Sequence, residues 1–74
     1  MDVWIARLNA FLRKRGLRHS IPREIVAEEL FKSADHIGIE ALYRRVQKVN
    51  PDIGIATVYR TLNLLVEGGL ALRR

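Results

Sequence analysis

The chain is predicted to be mainly α, four helices followed by one short strand, and three observations carry that reading. Apolar residues recur at the i, i+3, i+4 spacing of a helix in four separate stretches. Each stretch meets a stop signal: Gly16, the Ser33-Ala34-Asp35 turn, Asn50-Pro51-Asp52 and Gly68-Gly69. Only Leu70-Ala71-Leu72-Arg73 alternates at period two, as a strand does.

Asp2 is placed to cap the first helix, whose stripe Trp4, Ile5, Leu8, Phe11 and Leu12 runs on to Arg15. Gly16 ends it, because a left-handed residue is cheap for glycine, and Arg13-Lys14-Arg15 complements the negative end of the helix dipole. Ser20 caps the second helix, with Pro22 in the first turn where its missing N–H costs nothing. Ile21, Ile25, Val26, Leu30 and Phe31 form its buried stripe, and Glu24, Glu28 and Glu29 its solvent face. After the Ser33-Ala34-Asp35 turn, His36-Ile37 reads as a brief extended piece. Ile39, Leu42, Val46 and Val49 step through the third helix, with Arg44, Arg45 and Lys48 on other faces. Pro51 lacks a donor and biases Asn50 away from helix, which ends the third helix there. The fourth helix puts Ile55, Val58, Leu62, Leu65 and Val66 on its core stripe. Helix, helix, short extended piece, helix, turn, helix, strand is the order of a winged helix-turn-helix, here with a truncated wing. No repeat or linker interrupts it, so residues 1–74 read as a single domain.

Seventy-four residues suffice for one small core and are too few for two domains. With 49% hydrophobic and 28% charged residues, the composition is globular. There is no cysteine, which removes disulfides, thiolate metal sites and cysteine nucleophiles. Asp2 and Arg7 interrupt the apolar pattern of the first twelve residues and leave no signal-peptide core; no other stretch approaches membrane-spanning length. A cytoplasmic protein with no membrane partner is expected. Net charge is +5, and its distribution says more than its size. Residues 1–23 hold six bases and one acid, residues 24–43 one base and five acids, and residues 44–74 six bases and two acids. If the fold brings the ends together, one basic face results. Dipole complementation alone does not call for the five bases Arg13, Lys14, Arg15, Arg18 and Arg23 with no acid among them. A phosphate-facing edge would, since each base that neutralises a phosphate releases counterions.

Opposite the core stripe, the first turns of the fourth helix carry Ala56, Thr57, Tyr59, Arg60 and Asn63. Base edges in a DNA major groove suit that inventory: Arg bridges two acceptors on guanine, Asn pairs with adenine, and apolar groups meet a thymine methyl. Read from this helix alone, an ordinary amphipathic helix with a solvated face is the alternative.

Gly16-Leu17-Arg18, Ser20, Pro22-Arg23, His36, Glu40-Ala41-Leu42-Tyr43 and above all Ile53-Gly54-Ile55-Ala56-Thr57-Val58-Tyr59-Arg60-Thr61-Leu62 together resemble the DNA-binding half of the ferric uptake regulator family. The resemblance runs from about Gly16 to Arg73, and the Gly-x-Ala-Thr-Val-Tyr-Arg segment is its specific part. Family members are bacterial metal-dependent or peroxide-sensing regulators, mostly repressors, that bind A·T-rich palindromes in double-stranded DNA as homodimers. The resemblance implies that Ala56, Thr57, Tyr59 and Arg60 lie in the major groove, with Tyr59 against thymine methyls and Arg60 on a phosphate or guanine. It places Arg18 at a minor groove, whose A·T-rich form concentrates negative potential. It matches His36 to a metal-ligating position, an incomplete site in this chain. Asn63 extends the reading face, while Arg13, Lys14, Arg15, Arg23 and Arg73 are expected to hold the DNA backbone.

Gly38 stands where relatives usually carry Ser or Thr, a weaker cap for the third helix. Two histidines and no cysteine cannot assemble a zinc or iron site, so no cofactor is expected in these residues. The resemblance implies Fe, Zn or Mn bound mainly by a C-terminal dimerisation domain that these 74 residues do not include. Without it the chain is expected to be monomeric or weakly associating. The competing reading is a winged-helix protein-interaction module that docks through Tyr59 and Arg60. No nucleophile-and-base spacing supports an enzyme.

Overall fold

The computed structural model describes residues 3–33 and 37–71. Four helices fill them: α1 (Val3–Lys14), α2 (Ile21–Lys32), α3 (Ile39–Val49) and α4 (Ile55–Glu67). α2 packs against both α3 and α4, which also touch each other. Val26 of α2 joins Leu42, Val46, Ile53 and Val58 in one buried cluster. Its neighbour Ala27 faces about 100° away and joins Leu8, Leu12 and Leu65 in a second. Leu30 packs against both clusters. α2 is therefore a two-sided central helix, and α1 closes the second cluster.

This enclosure corrects two expectations for α2. Glu29, expected on a solvent face, is only 7% exposed, because the helix has little free face left. Its carboxylate lies 3.4 Å from Lys32 Nζ and 3.9 Å from Arg45 Nε, charges that offset its burial. Ile21, expected in the buried stripe, is 59% exposed, since it occupies the first position of the helix, beyond the reach of its neighbours. Val49 and Ile55, at the last and first positions of α3 and α4, are exposed for the same reason. On α4 the buried residues are Val58, Thr61 and Leu65, with Leu62 and Val66 half-buried.

Local chemistry ends the helices as the sequence predicts at three places. Ser20 Oγ accepts the Arg23 N–H at 3.3 Å and caps α2. After α1, Gly16 takes φ +70°, the Leu17 N–H reaches Leu12 O at 2.8 Å and the Gly16 N–H reaches Arg13 O at 3.0 Å. α4 ends identically around Gly69 (φ +71°), with Leu70 to Leu65 O at 2.8 Å and Gly69 to Val66 O at 3.1 Å. Both are Schellman caps, and Leu17 and Leu70 pack back on the second cluster beside Leu12 and Leu65.

The second of these caps corrects the strand expected over Leu70–Arg73. Among the described residues there is no strand: the N–H groups of Leu70 and Ala71 both bond to Leu65 O, so they have turned back on α4. Leu72 and Arg73 lie outside the described residues, as do Asp2, His36 and the Ala34-Asp35 part of the turn. Ile37 is not part of a strand and packs against the first cluster.

Candidate nucleic-acid interface

The exposed face of α4 follows from the position of its core face. Val58, Thr61 and Leu65 point inward. At about 100° per residue, Ala56, Tyr59, Arg60 and Asn63 fall on the opposite side, within a sector of roughly 100°. Tyr59 is 55% exposed, Ala56 and Arg60 are exposed, Asn63 between them is half-buried, and Thr57 is half-buried at the margin. Ile55, 48% exposed, extends the apolar side of the patch by one turn from Tyr59. Around Gly54, the N-cap of α4, a Cβ would meet nothing within 4 Å, so the approach to this end of the helix is open.

The turn that delivers α4 is closely tied. Ile53 is buried in the first cluster, and its N–H bonds to Asn50 O at 3.2 Å. Asn50 Oδ1 accepts the Asp52 N–H at 2.9 Å, and Gln47 Nε2 donates to Pro51 O at 3.1 Å and to Ile53 O at 2.8 Å. The sequence reading missed Gln47, and it gave Asn50 and Ile53 no part in holding this turn. The Asn-Pro-Asp run did signal a side-chain-closed turn, but nothing in the sequence revealed which α3 residue would hold it.

The basic residues expected along the DNA backbone fall into two groups. Arg18 is exposed in the α1–α2 connection, and its carbonyl accepts Arg23 Nη1 at 3.1 Å. His19 pairs there with Glu24 through Nε2 and Oε2, and Ser20 adds its cap, so three contacts fix the backbone that carries Arg18. Arg13, Lys14 and Arg15 stand instead at the end of α1, against the C-terminal end of α4. Arg13 and Lys14 line a shallow open groove with Arg7, Ala10, Phe11 and Gly68. Arg15 Nη1 donates to Glu67 Oε1 at 2.8 Å, while its guanidinium lies 5.5 Å from the centre of the Phe11 ring. Glu67 shares the face of Arg60, roughly 10 Å further along the axis at 1.5 Å per residue. Arg15 therefore neutralises the one acid on that face of α4. Arg73 and His36 lie outside the described residues.

Nothing in this arrangement suits a bound metal. Among the described residues no three His, Cys, Asp or Glu side chains gather, and His19 with Glu24 supplies two donors where zinc or iron takes more. No helix among them is long and apolar enough to cross a membrane. What the surface offers is an exposed patch of mixed apolar, hydroxyl, aromatic, amide and guanidinium groups on one helix, with Arg18 exposed on the α1–α2 connection.

The Ferric uptake regulator family model matches residues 14–73. Over 68 residues the chain is 44% identical to a ferric uptake regulation protein of Campylobacter jejuni subsp. jejuni, covering 89% of this chain and 43% of that protein. A ferric uptake regulation protein of Rhizobium leguminosarum bv. viciae is 41% identical over 66 residues, 89% of this chain and 46% of the relative. That of Escherichia coli strain K12 is 38% identical over 66 residues, 88% and 45% respectively. The chain thus spans less than half the length of these curated relatives.

Proposed function

From the premise that this chain belongs to the ferric uptake regulator family, we propose that it is the DNA-reading part of a metal-dependent transcription regulator. It acts as a repressor that binds A·T-rich inverted repeats in the cytoplasm and catalyses no reaction. The observation that carries the reading is the exposed α4 sector of Ala56, Tyr59, Arg60 and Asn63, set opposite the helix's core face and led by an open N-terminus. In this reading α4 enters the major groove by its first two turns. Arg60, which has no ion-pair partner among the described residues, bridges a guanine or holds a phosphate, and Tyr59 and Ala56 meet thymine methyls. Arg18 enters an adjacent minor groove from its fixed loop. Arg13, Lys14, Arg23 and Arg73 supply backbone contacts.

Metal sensing belongs to donors beyond those the described residues assemble, with His36 contributing one ligand. The full-length regulator works as a homodimer, its two copies of α4 reading half-sites about one helical turn apart.

The test is titration of a labelled A·T-rich inverted-repeat duplex over a range of salt. The logarithm of the affinity should fall linearly with that of the salt, with a slope of about −0.9 per phosphate contact. Binding indifferent to salt would contradict the mechanism. A protein partner retained after nuclease treatment, with no duplex bound at low salt, would make Tyr59 and Arg60 a protein-docking surface instead.

A further inference from the structure

We infer that Gln47 is a positioning residue for α4: its side-chain amide, clamped on two carbonyls of the turn, sets the angle at which the reading face is presented. The inference rests on the reading of α4 as the DNA-contacting helix. Gln47 lies on α3 and uses one amide nitrogen twice, donating to Pro51 O at 3.1 Å and to Ile53 O at 2.8 Å. Those carbonyls stand near the entrance and at the exit of the 50–54 connection. Among the described residues, neither takes a backbone N–H from a turn or cap.

The Asn50 N–H bonds back to Val46 O at 2.9 Å and ends α3; the other polar contacts of residues 50–53 are internal to the turn. Asn50 O and Oδ1 accept from Ile53 and Asp52, which shapes the loop but does not tie it to the helix behind. Past that helix-ending bond, two groups tie the turn down, the buried Ile53 side chain and Gln47. Ile53 packs among aliphatic side chains, and a nondirectional contact of that kind resists withdrawal more than rotation. Hydrogen bonds are directional, so Gln47 resists rotation of the Ile53 peptide.

That rotation passes directly to α4. Gly54 follows, and its carbonyl accepts the first helical bonds, from Thr57 at 3.1 Å and Val58 at 3.3 Å. Gly54 offers no capping side chain, and its would-be Cβ position is open. Val58 is the first α4 residue buried in the core, so the turn carrying Ile55, Ala56 and Thr57 takes its direction from the connection. Arg60 and Tyr59 lie just beyond, and base-edge hydrogen bonding tolerates little misalignment.

The experiment compares the wild-type chain with Gln47→Met and Gln47→Glu, two replacements of similar length that lack the donor. Each is measured where urea titration shows it fully folded. Affinities are taken for an inverted-repeat duplex and a scrambled duplex of equal composition, and residual dipolar couplings of backbone amides give the orientation of α4 relative to α2 and α3. The expected result is a preference for the repeat that falls about tenfold in Gln47→Met, with affinity for the scramble unchanged and α4 couplings that no longer fit the wild-type orientation. Wild-type couplings in a folded variant would overturn the inference, as would equal loss on both duplexes. If the wild-type chain itself shows no preference, the DNA-reading proposal fails, and the couplings alone decide the role of Gln47. Should neither variant fold, exchange of the Gln47 side-chain amide protons in the wild type decides: slow exchange supports the clamp, and exchange at the rate of a free glutamine overturns it.

Discussion

Arg15 and Arg60 carry the same guanidinium along one face of α4, and their surroundings give them different work. Arg60 is exposed and enters no ion pair among the described residues, whereas Arg15 is held by Glu67 at 2.8 Å and lies over Phe11. Both partners of that pair are about half exposed, at 47% and 52%, so it stabilises the fold by at most about 1 kcal/mol. In the proposed DNA-bound state its larger effect is electrostatic, because it cancels a carboxylate that would face phosphates. Replacing Glu67 by Gln should release Arg15 and strengthen binding to any duplex at low salt. The salt slope should steepen by about 0.9 for one added phosphate contact, and the preference for the repeat should not change. Weaker binding, or an altered preference measured by anisotropy, would show that Arg15 and Glu67 do something else. Glu67 was not legible as a partner because it lies 52 residues from Arg15 in sequence, and only the packing of α1 on the end of α4 brings them together.

At the scale of elements, helix ends decide where α4 begins and where the chain goes afterwards. Gly16 and Gly69 hold left-handed φ in matching caps, so Gly16→Ala and Gly69→Ala should each cost about 1 kcal/mol. Urea denaturation followed by circular dichroism reads this as a lower midpoint with an unchanged slope. Gly38 caps α3 with no side-chain bond at φ −73°, and a Cβ there meets nothing within 4 Å. Gly38→Ser should therefore stabilise by a few tenths of a kcal/mol; an unchanged midpoint would mean the hydroxyl finds no amide. Most of these ends were legible, because Ser20, Gly16, Asn50-Pro51 and Gly68-Gly69 act through neighbours a few residues away. The strand was not, since period two over four residues competes with a cap that takes the N–H groups of Leu70 and Ala71. Ile21 and Ile55 were misplaced for a related reason. Periodicity gives the angle of a side chain about its helix, but not whether a neighbouring helix extends as far as that turn.

Across the whole molecule, α2 is the scaffold, with Val26 and Ala27 fully buried in different clusters. α3 and the first half of α4 assemble on one side, and α1 with the end of α4 on the other. The sequence pattern gave α2 a single buried stripe and a solvent face of acids, and the second stripe could not be read because it is shared with α1 and includes the small Ala27. The exposed face of α4 fared better. Once Val58 and Leu65 are core, Ala56, Tyr59, Arg60 and Asn63 must lie opposite, and the structure places them there. The two groups of bases were not separable in sequence, because the turn at Gly16 leaves Arg13 to Arg15 by α4's far end while Arg18 sits on a loop fixed by Arg23 and Ser20. The most direct test of α4 as the reader is an anisotropy titration of an A·T-rich inverted repeat and a scrambled duplex with the wild-type chain and Arg60→Ala, whose folding is checked by circular dichroism. The account predicts that the wild type prefers the repeat and that Arg60→Ala loses about 1–3 kcal/mol of that preference while binding the scramble nearly as before. Equal binding of both duplexes by the wild type, unchanged in the variant, would contradict it and leave the basic residues as an electrostatic anchor alone.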